Sequence, residues 1–178
     1  MKYIHTFMGL ILTVSTSLAD PPITITADAI DHTSYLVHIS NQSTNDVIFR
    51  IGTKVGNGRY IFYDAISLIF DTLEGQEIKV ESNWDNLAGI AGRLDQVFMA
   101  LTPGAMLSVP FNASNSNFET LQSNHLSTFR ASLDSAIVTN IPLPIEYLNG
   151  NILSGTFESI KYKIDSQQSG PAYPPQGV

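Results

Sequence analysis

The chain has 178 residues, 43% of them hydrophobic and 14% charged, with no cysteine and a formal net charge of −7. That apolar content, with nine Phe and seven Tyr, excludes intrinsic disorder, and the length suits one domain with a sizeable core. Nine Lys and Arg against sixteen Asp and Glu leave no basic footprint for a nucleic acid, while the lack of Cys excludes disulfides, thiolate metal sites and a cysteine nucleophile.

Residues 1–19 read as an export signal. Lys2 and His5 form a short polar start, Phe7 to Val14 is apolar, and Ser17-Leu18-Ala19 sets small residues before a cleavage point at Asp20. The apolar run is about half of the roughly 20 residues that a spanning helix needs, and no other stretch approaches that length. The expectation is a secreted or periplasmic protein without a membrane span. Cleavage also removes Lys2, which leaves the mature chain one unit more negative than the −7 of the precursor.

From Ile23 onward the chain is a succession of short alternating runs. Ile23 to Ala27 follows Pro21-Pro22 and alternates with period two, and Tyr35, Val37 and Ile39 share one face of the next run. After the polar turn Asn41 to Asp46, Val47, Phe49 and Ile51 share a face opposite Ile48 and Arg50. Gly52 and Gly56-Asn57-Gly58 mark turns or a bulge. Ile66 to Phe70 is nearly apolar throughout, as in a central strand covered on both faces, and Glu77 to Glu81 is its hairpin partner. Ser82 to Gly92 reads as a long loop. Gln96 to Leu101 and Ala105 to Phe111 are strands joined by Thr102-Pro103-Gly104, where Pro-Gly fits the central positions of a type II turn. Asn112 to Asn124 is polar, with at most one helical turn around Phe118 and Leu121. Leu126 to Leu133 and Thr156 to Ile164 close the series, with Ile160, Tyr162 and Ile164 on one face and Lys161 and Lys163 on the other. The charges on this last strand would blunt a sheet edge. Eight or nine short strands without an amphipathic helix predict an all-β chain, an immunoglobulin-like antiparallel β-sandwich over residues 20–164. Residues 165–178, rich in Pro, Gly and Gln, form an expected disordered tail.

The order of these runs, with Ile39-Ser40-Asn41 ending one strand and Leu101-Thr102-Pro103-Gly104 leading into Leu107 to Phe111, resembles a known pattern. It is similar to small secreted immunoglobulin-like sandwiches with a Leu-x-Pro-Gly turn. These include proteinase-inhibitor-type sandwiches and the region preceding the catalytic domain of deuterolysin-like metalloproteases. The resemblance spans Ile23 to Leu133 and implies a sandwich fold and export, with no activity and no functional residue. The His-Glu-x-x-His helix of zinc proteases is absent.

Catalytic and metal motifs are equally absent. Ser154-Gly155 lacks the upstream glycine of a nucleophile elbow, His38 lies inside a strand opposite Tyr35, Val37 and Ile39, and His125 sits in a polar loop. His32 and His38 would stand roughly 20 Å apart on one strand, too far to share an ion. Asp64, Asp71, Asp85 and Asp95 could offer oxygens to Ca²⁺, yet no Asp-x-Asp-x-Asp-Gly loop is present, so they read as turn aspartates. Gly52 to Gly58 carries no phosphate-cradling Gly-Lys-Ser/Thr ending. No cofactor is implied.

Trp84 is the most informative single residue. Asn83, Asp85 and Asn86 surround it with amides and an acid, a setting for stacking on a sugar or anchoring a protein, or for a ring folded over the sandwich edge. Asn41-Gln42-Ser43 and Asn112-Ala113-Ser114 fit the glycosylation pattern. The leading expectation is an exported, non-catalytic module that binds a protein, an inhibitor of an extracellular or periplasmic protease being one concrete form. A carbohydrate-binding module using Trp84 with Tyr60 or Tyr63 is the second reading. A hydrolase with a dispersed site is the third, since catalytic geometry does not require adjacency in sequence.

Overall fold

Alternation along the chain turns into layers because each half-buried strand must cover its apolar face. A computed structural model describes residues 21–31, 33–56, 60–81, 94–112, 125–139 and 152–164. The expected export signal, the expected loop holding Asn83, Trp84 and Asp85, His32, the expected helical turn around Phe118 and Leu121, and the expected tail lie outside the described residues. Among those residues the strands are β1 (Ile23–Ala29), β2 (Ser34–Asn41), β3 (Val47–Val55), β4 (Tyr60–Phe62), β5 (Ile66–Thr72) and β6 (Glu77–Glu81). They continue with β7 (Asp95–Leu101), β8 (Met106–Asn112), β9 (Leu126–Asp134), β10 (Ile152–Leu153), β11 (Thr156–Glu158) and β12 (Tyr162–Lys163). None of the described residues is helical.

Two sheets make the sandwich. One runs β1–β2–β8; the other runs β6–β5–β9, with β11 and β12 following each other along the far side of β9. All these pairings are antiparallel. Taking β1, β2 and β8 as strands A, B and E, and β5, β9 and β11–β12 as C, F and G, gives the immunoglobulin-like order. Ile23, Ile25, Val37, Ile39 and Val109 of the first sheet meet Leu68, Phe70, Phe129, Ala131 and Leu133 of the second in one core. The Tyr35 ring packs edge-on to Phe70 and Phe129, at 5.7 and 5.2 Å between centroids. Tyr162 lies 5.2 Å from Phe129, and its hydroxyl accepts the Ala27 N–H, which ties β12 to β1 and closes that side.

The expected central strand is β5. It is flanked by β6 and β9, and Ile66, Leu68 and Phe70 are fully buried. The expected single strand over Thr156 to Ile164 is two strands. Ser159 Oγ takes the Ala131 N–H and donates to the Ile160 carbonyl, and the pairing with β9 slips by one residue between Glu158 and Tyr162. The slip inverts the alternation, so Tyr162 and Ile164 pack on the core while Ile160 is 73% exposed.

A third sheet was not anticipated. Its centre is β3, with β7 along one side and β10 and β4 in succession along the other. A bulge at Ile51 separates Arg50 from Gly52 in the pairing with β7. Gly52 is required there: a Cβ at that position would sit 1.9 Å from the Phe62 carbonyl oxygen of β4.

On the outward face of the second sheet Arg130 reaches Glu77 at 2.8 Å and Glu158 at 3.2 Å, while Asp71 receives Lys161 at 2.9 Å and the Thr128 hydroxyl. The Thr128 hydrogen bond, then Lys161 and Arg130, hold the Asp71 carboxyl below its usual value of 3.8. A depressed folded-state value contributes stability that is present above the unfolded value and lost as pH falls below it. Thermal unfolding below about pH 4 should therefore fall less steeply with acid in Asp71→Asn than in the parent. Phe70→Ala should cost about 3–5 kcal/mol in a denaturant titration, because it removes a ring with no exposure from the centre of the core.

Candidate binding site

Strands β3 and β4 belong to the connection between β2 and β5, β7 to that between β6 and β8, and β10 to that between β9 and β11. The ends of β2, β6 and β9 and the starts of β5, β8 and β11 lie at one pole of the sandwich. The third sheet is thus a cap built wholly from the connecting segments of that pole, where immunoglobulin-like sandwiches carry binding loops.

Asn41 joins cap to sandwich. It is fully buried, and its Nδ2 donates to the carbonyls of Leu101 and Asn45, both at 2.8 Å. Its Oδ1 accepts the Ser43 N–H and hydroxyl. Its backbone N–H bonds Ala105, and its carbonyl takes the Gly104 N–H. Gly104 has φ +75°, and the Ala105 N–H bonds the Thr102 carbonyl, which is the expected type II turn. The polar Asn turn and the Leu-x-Pro-Gly turn are therefore one hydrogen-bonded unit.

A second polar cluster braces the cap. Arg50 is 4% exposed, and its Nη2 lies 2.9 Å from both carboxylate oxygens of Asp64 and 3.0 Å from Thr53 Oγ1. Thr53 in turn donates to Asp64. Asp64 follows β4, so the ion pair fixes the turn between β4 and β5 against β3. Beside it, the Gln96 side chain bonds both the N–H and the carbonyl of Val138.

On this braced sheet Tyr60 is 47% and Ile61 49% exposed, and Leu94, just before β7, is 42% exposed. Val55 of β3 pairs with Tyr60, and the neighbouring Lys54 pairs with both Ile61 and Asp95. Leu94, one residue before Asp95, continues the row of Val55 and Tyr60, so Tyr60 and Leu94 share one face of that sheet end while Ile61 stands with Lys54 on the other. Of the aromatic residues expected here, Tyr60 is exposed, whereas Tyr63 is partly buried against the core. Ile61 and Leu94 were missed by the sequence reading; the unbroken Tyr60-Ile61-Phe62-Tyr63 run was their only local signal. A shallow cleft of about 350 Å³ lies beside β10, lined by Pro22, Ser43, Asn45, Asp46, Val47, Ile152 and Leu153.

Asp64 and Asp71 spend their oxygens on Arg50, Thr53, Thr128 and Lys161, and no cluster of three or more metal-ligating side chains occurs among the described residues. His125 is exposed, and its carbonyl receives the Leu73 N–H. Compared with known proteins, the chain matches no family model and no curated sequence.

Asn41→Ala would leave the Leu101 carbonyl and the Ser43 N–H without their side-chain partner. It should cost about 1–3 kcal/mol in equilibrium unfolding, the usual penalty for stranding buried polar groups.

Proposed function

We propose that the chain is an exported protein-binding module whose cap pole meets the partner. The single observation that carries this is the exposure of Tyr60 and Leu94 on one face of a sheet end that β3 and the Arg50–Asp64 pair brace. Large apolar side chains kept in water on a braced surface suit a partner that removes them from it. Rigidity lowers the ordering cost of association. Inhibition of an extracellular or periplasmic protease is the concrete form suggested by the resemblance to proteinase-inhibitor-type sandwiches. The carbohydrate reading uses Trp84 with Tyr60 or Tyr63; of these Tyr60 is exposed and Trp84 lies outside the described residues, so the protein-binding reading, which rests on described residues, comes first.

The test compares the parent with a Tyr60→Ser/Leu94→Ser double variant, using crosslinking to neighbouring proteins in the export compartment. Both side chains are half exposed, so the melting temperature should stay close to the parent's. Affinity for the captured partner should fall by at least ~2 kcal/mol, about 30-fold. Leu73→Ser, 72% exposed at the opposite pole, should bind as the parent does. Equal capture by parent and double variant would overturn the assignment of this pole.

A further inference from the structure

The outward face of the β1–β2–β8 sheet brings together three side chains that no sequence motif links. His38 of β2 stands opposite Ser108 of β8, and Asp28 lies on β1, two residues beyond the Thr26 that pairs with His38. His38 Nδ1 is 2.7 Å from Ser108 Oγ, and His38 Nε2 is 3.1 Å from Asp28 Oδ2. The partners dictate the tautomer. An ionised carboxylate only accepts, so Nε2 carries the hydrogen that Asp28 receives. In the neutral ring Nδ1 is then a bare acceptor, and the Ser108 hydroxyl donates to it.

Backbone register adds a fourth part. The Asn41 N–H bonds Ala105 on the β8 side, whereas the Gln42 N–H bonds Pro22 on the β1 side. Odd-numbered residues of β2 therefore turn their amides to β8 and even-numbered ones to β1. His38 bonds toward β1, and its opposite residue Ser108 turns its own N–H away from β2, to the far edge of β8. Among the described residues β8 pairs with β2 alone. Pro110, two positions on, has no N–H and hinders a further strand from continuing the ladder there. The Ser108 N–H thus stands beside its own Oγ, where a nucleophilic serine uses its amide to stabilise the oxyanion.

We propose that Ser108 is the nucleophile of an acyl-transfer site, with His38 as its general base and Asp28 as the positioning residue. Ser108 is exposed on an open sheet face, so the substrate class is small activated esters rather than a long enclosed chain. Ser108 Oγ forms a bond to the carbonyl carbon while its proton passes to His38 Nδ1. The carbonyl oxygen becomes the oxyanion facing the Ser108 N–H. Collapse breaks the bond to the leaving alcohol, which takes the proton back from Nδ1 and leaves an ester on Ser108. Water then attacks that ester with the same proton path, releasing the acid and restoring the hydroxyl. This site lies on a different face from the cap, so its failure leaves the binding reading intact.

The test treats the full chain with a fluorophosphonate, from which an activated serine displaces fluoride, and maps the adduct by peptide mass spectrometry. The expected result is one adduct, on Ser108, absent from Ser108→Ala. His38→Gln should slow labelling by ~100-fold or more, the usual contribution of a general base. Asp28→Asn alters a side chain that is 76% exposed, so it should keep the parent's melting temperature while slowing labelling. It carries the test should His38→Gln fail to fold. No adduct on Ser108, or labelling by Asp28→Asn at the parent's rate, would overturn the proposal.

Discussion

A carboxamide removed from water has two donor hydrogens and a carbonyl oxygen to satisfy, and a fold can bury one only where the chain arrives from several directions at once. Asn41 occupies such a place. Its two donors go to carbonyls on either side, Leu101 at the end of β7 and Asn45 in the turn before β3, and its oxygen is taken by Ser43. Chain leaves the sandwich for the cap at Asn41 and returns from it at Gly104, whose N–H is held by the Asn41 carbonyl. Exit and return are thereby fixed side by side. An apolar residue of the same volume could fill the space but could not set the two strands at one separation and register, because dispersion has no direction and hydrogen bonds do.

The cap follows from that constraint. Once β3 starts beside the point where β7 ends, their antiparallel pairing needs no further guidance, and Phe49, Ile51 and Leu101 extend the sandwich core into it. The other edge strands are too short to hold by ladder bonds alone. β10 contributes two residues and β4 three. For β4 the deficit is offset by the Arg50–Asp64 pair, shielded enough to resist screening better than a surface pair. The close approach of the Phe62 carbonyl to Gly52 adds a steric lock. A surface made of connecting segments is commonly the mobile part of a sandwich. Here the described connecting segments are tied into a sheet, and Tyr60 and Ile61 stand on it in a defined geometry.

The sandwich was legible because its strands are half-buried and long enough to show period two. Ile23-Thr24-Ile25-Thr26-Ala27 and Tyr35 to Ile39 alternate in burial as they do in sequence. Phe70 read as core because a strand covered on both faces cannot alternate. Of the third sheet β3 and β7 were legible as strands, whereas its short strands were not, for the converse reason: Tyr60-Ile61-Phe62 has no period, and Ile152-Leu153 is too short to have one. The split between β11 and β12 depends on a bond from the Ala131 N–H to the Ser159 hydroxyl, 28 positions away, and no local pattern encodes it. Asn41 was visible as a turn former, while its burial against Leu101 was not.

His38 shows where local reading stops. Its position opposite Tyr35, Val37 and Ile39 correctly placed it on the outward face, and outward histidines on strands are ordinarily solvated. What it meets there is set by the registers of two different pairings, with Asp28 10 positions before it and Ser108 70 after it. One step of slip in the β2–β8 register would put Ser108 on the core side of the sheet and break the series. That register is anchored at its far end by the bonds Asn41 makes to Ala105 and Gly104, so the residue that holds the cap also holds Ser108 opposite His38. The two outward surfaces, chemically unrelated and formed by different strands, rest on the same residue, one through its side chain and the other through its backbone.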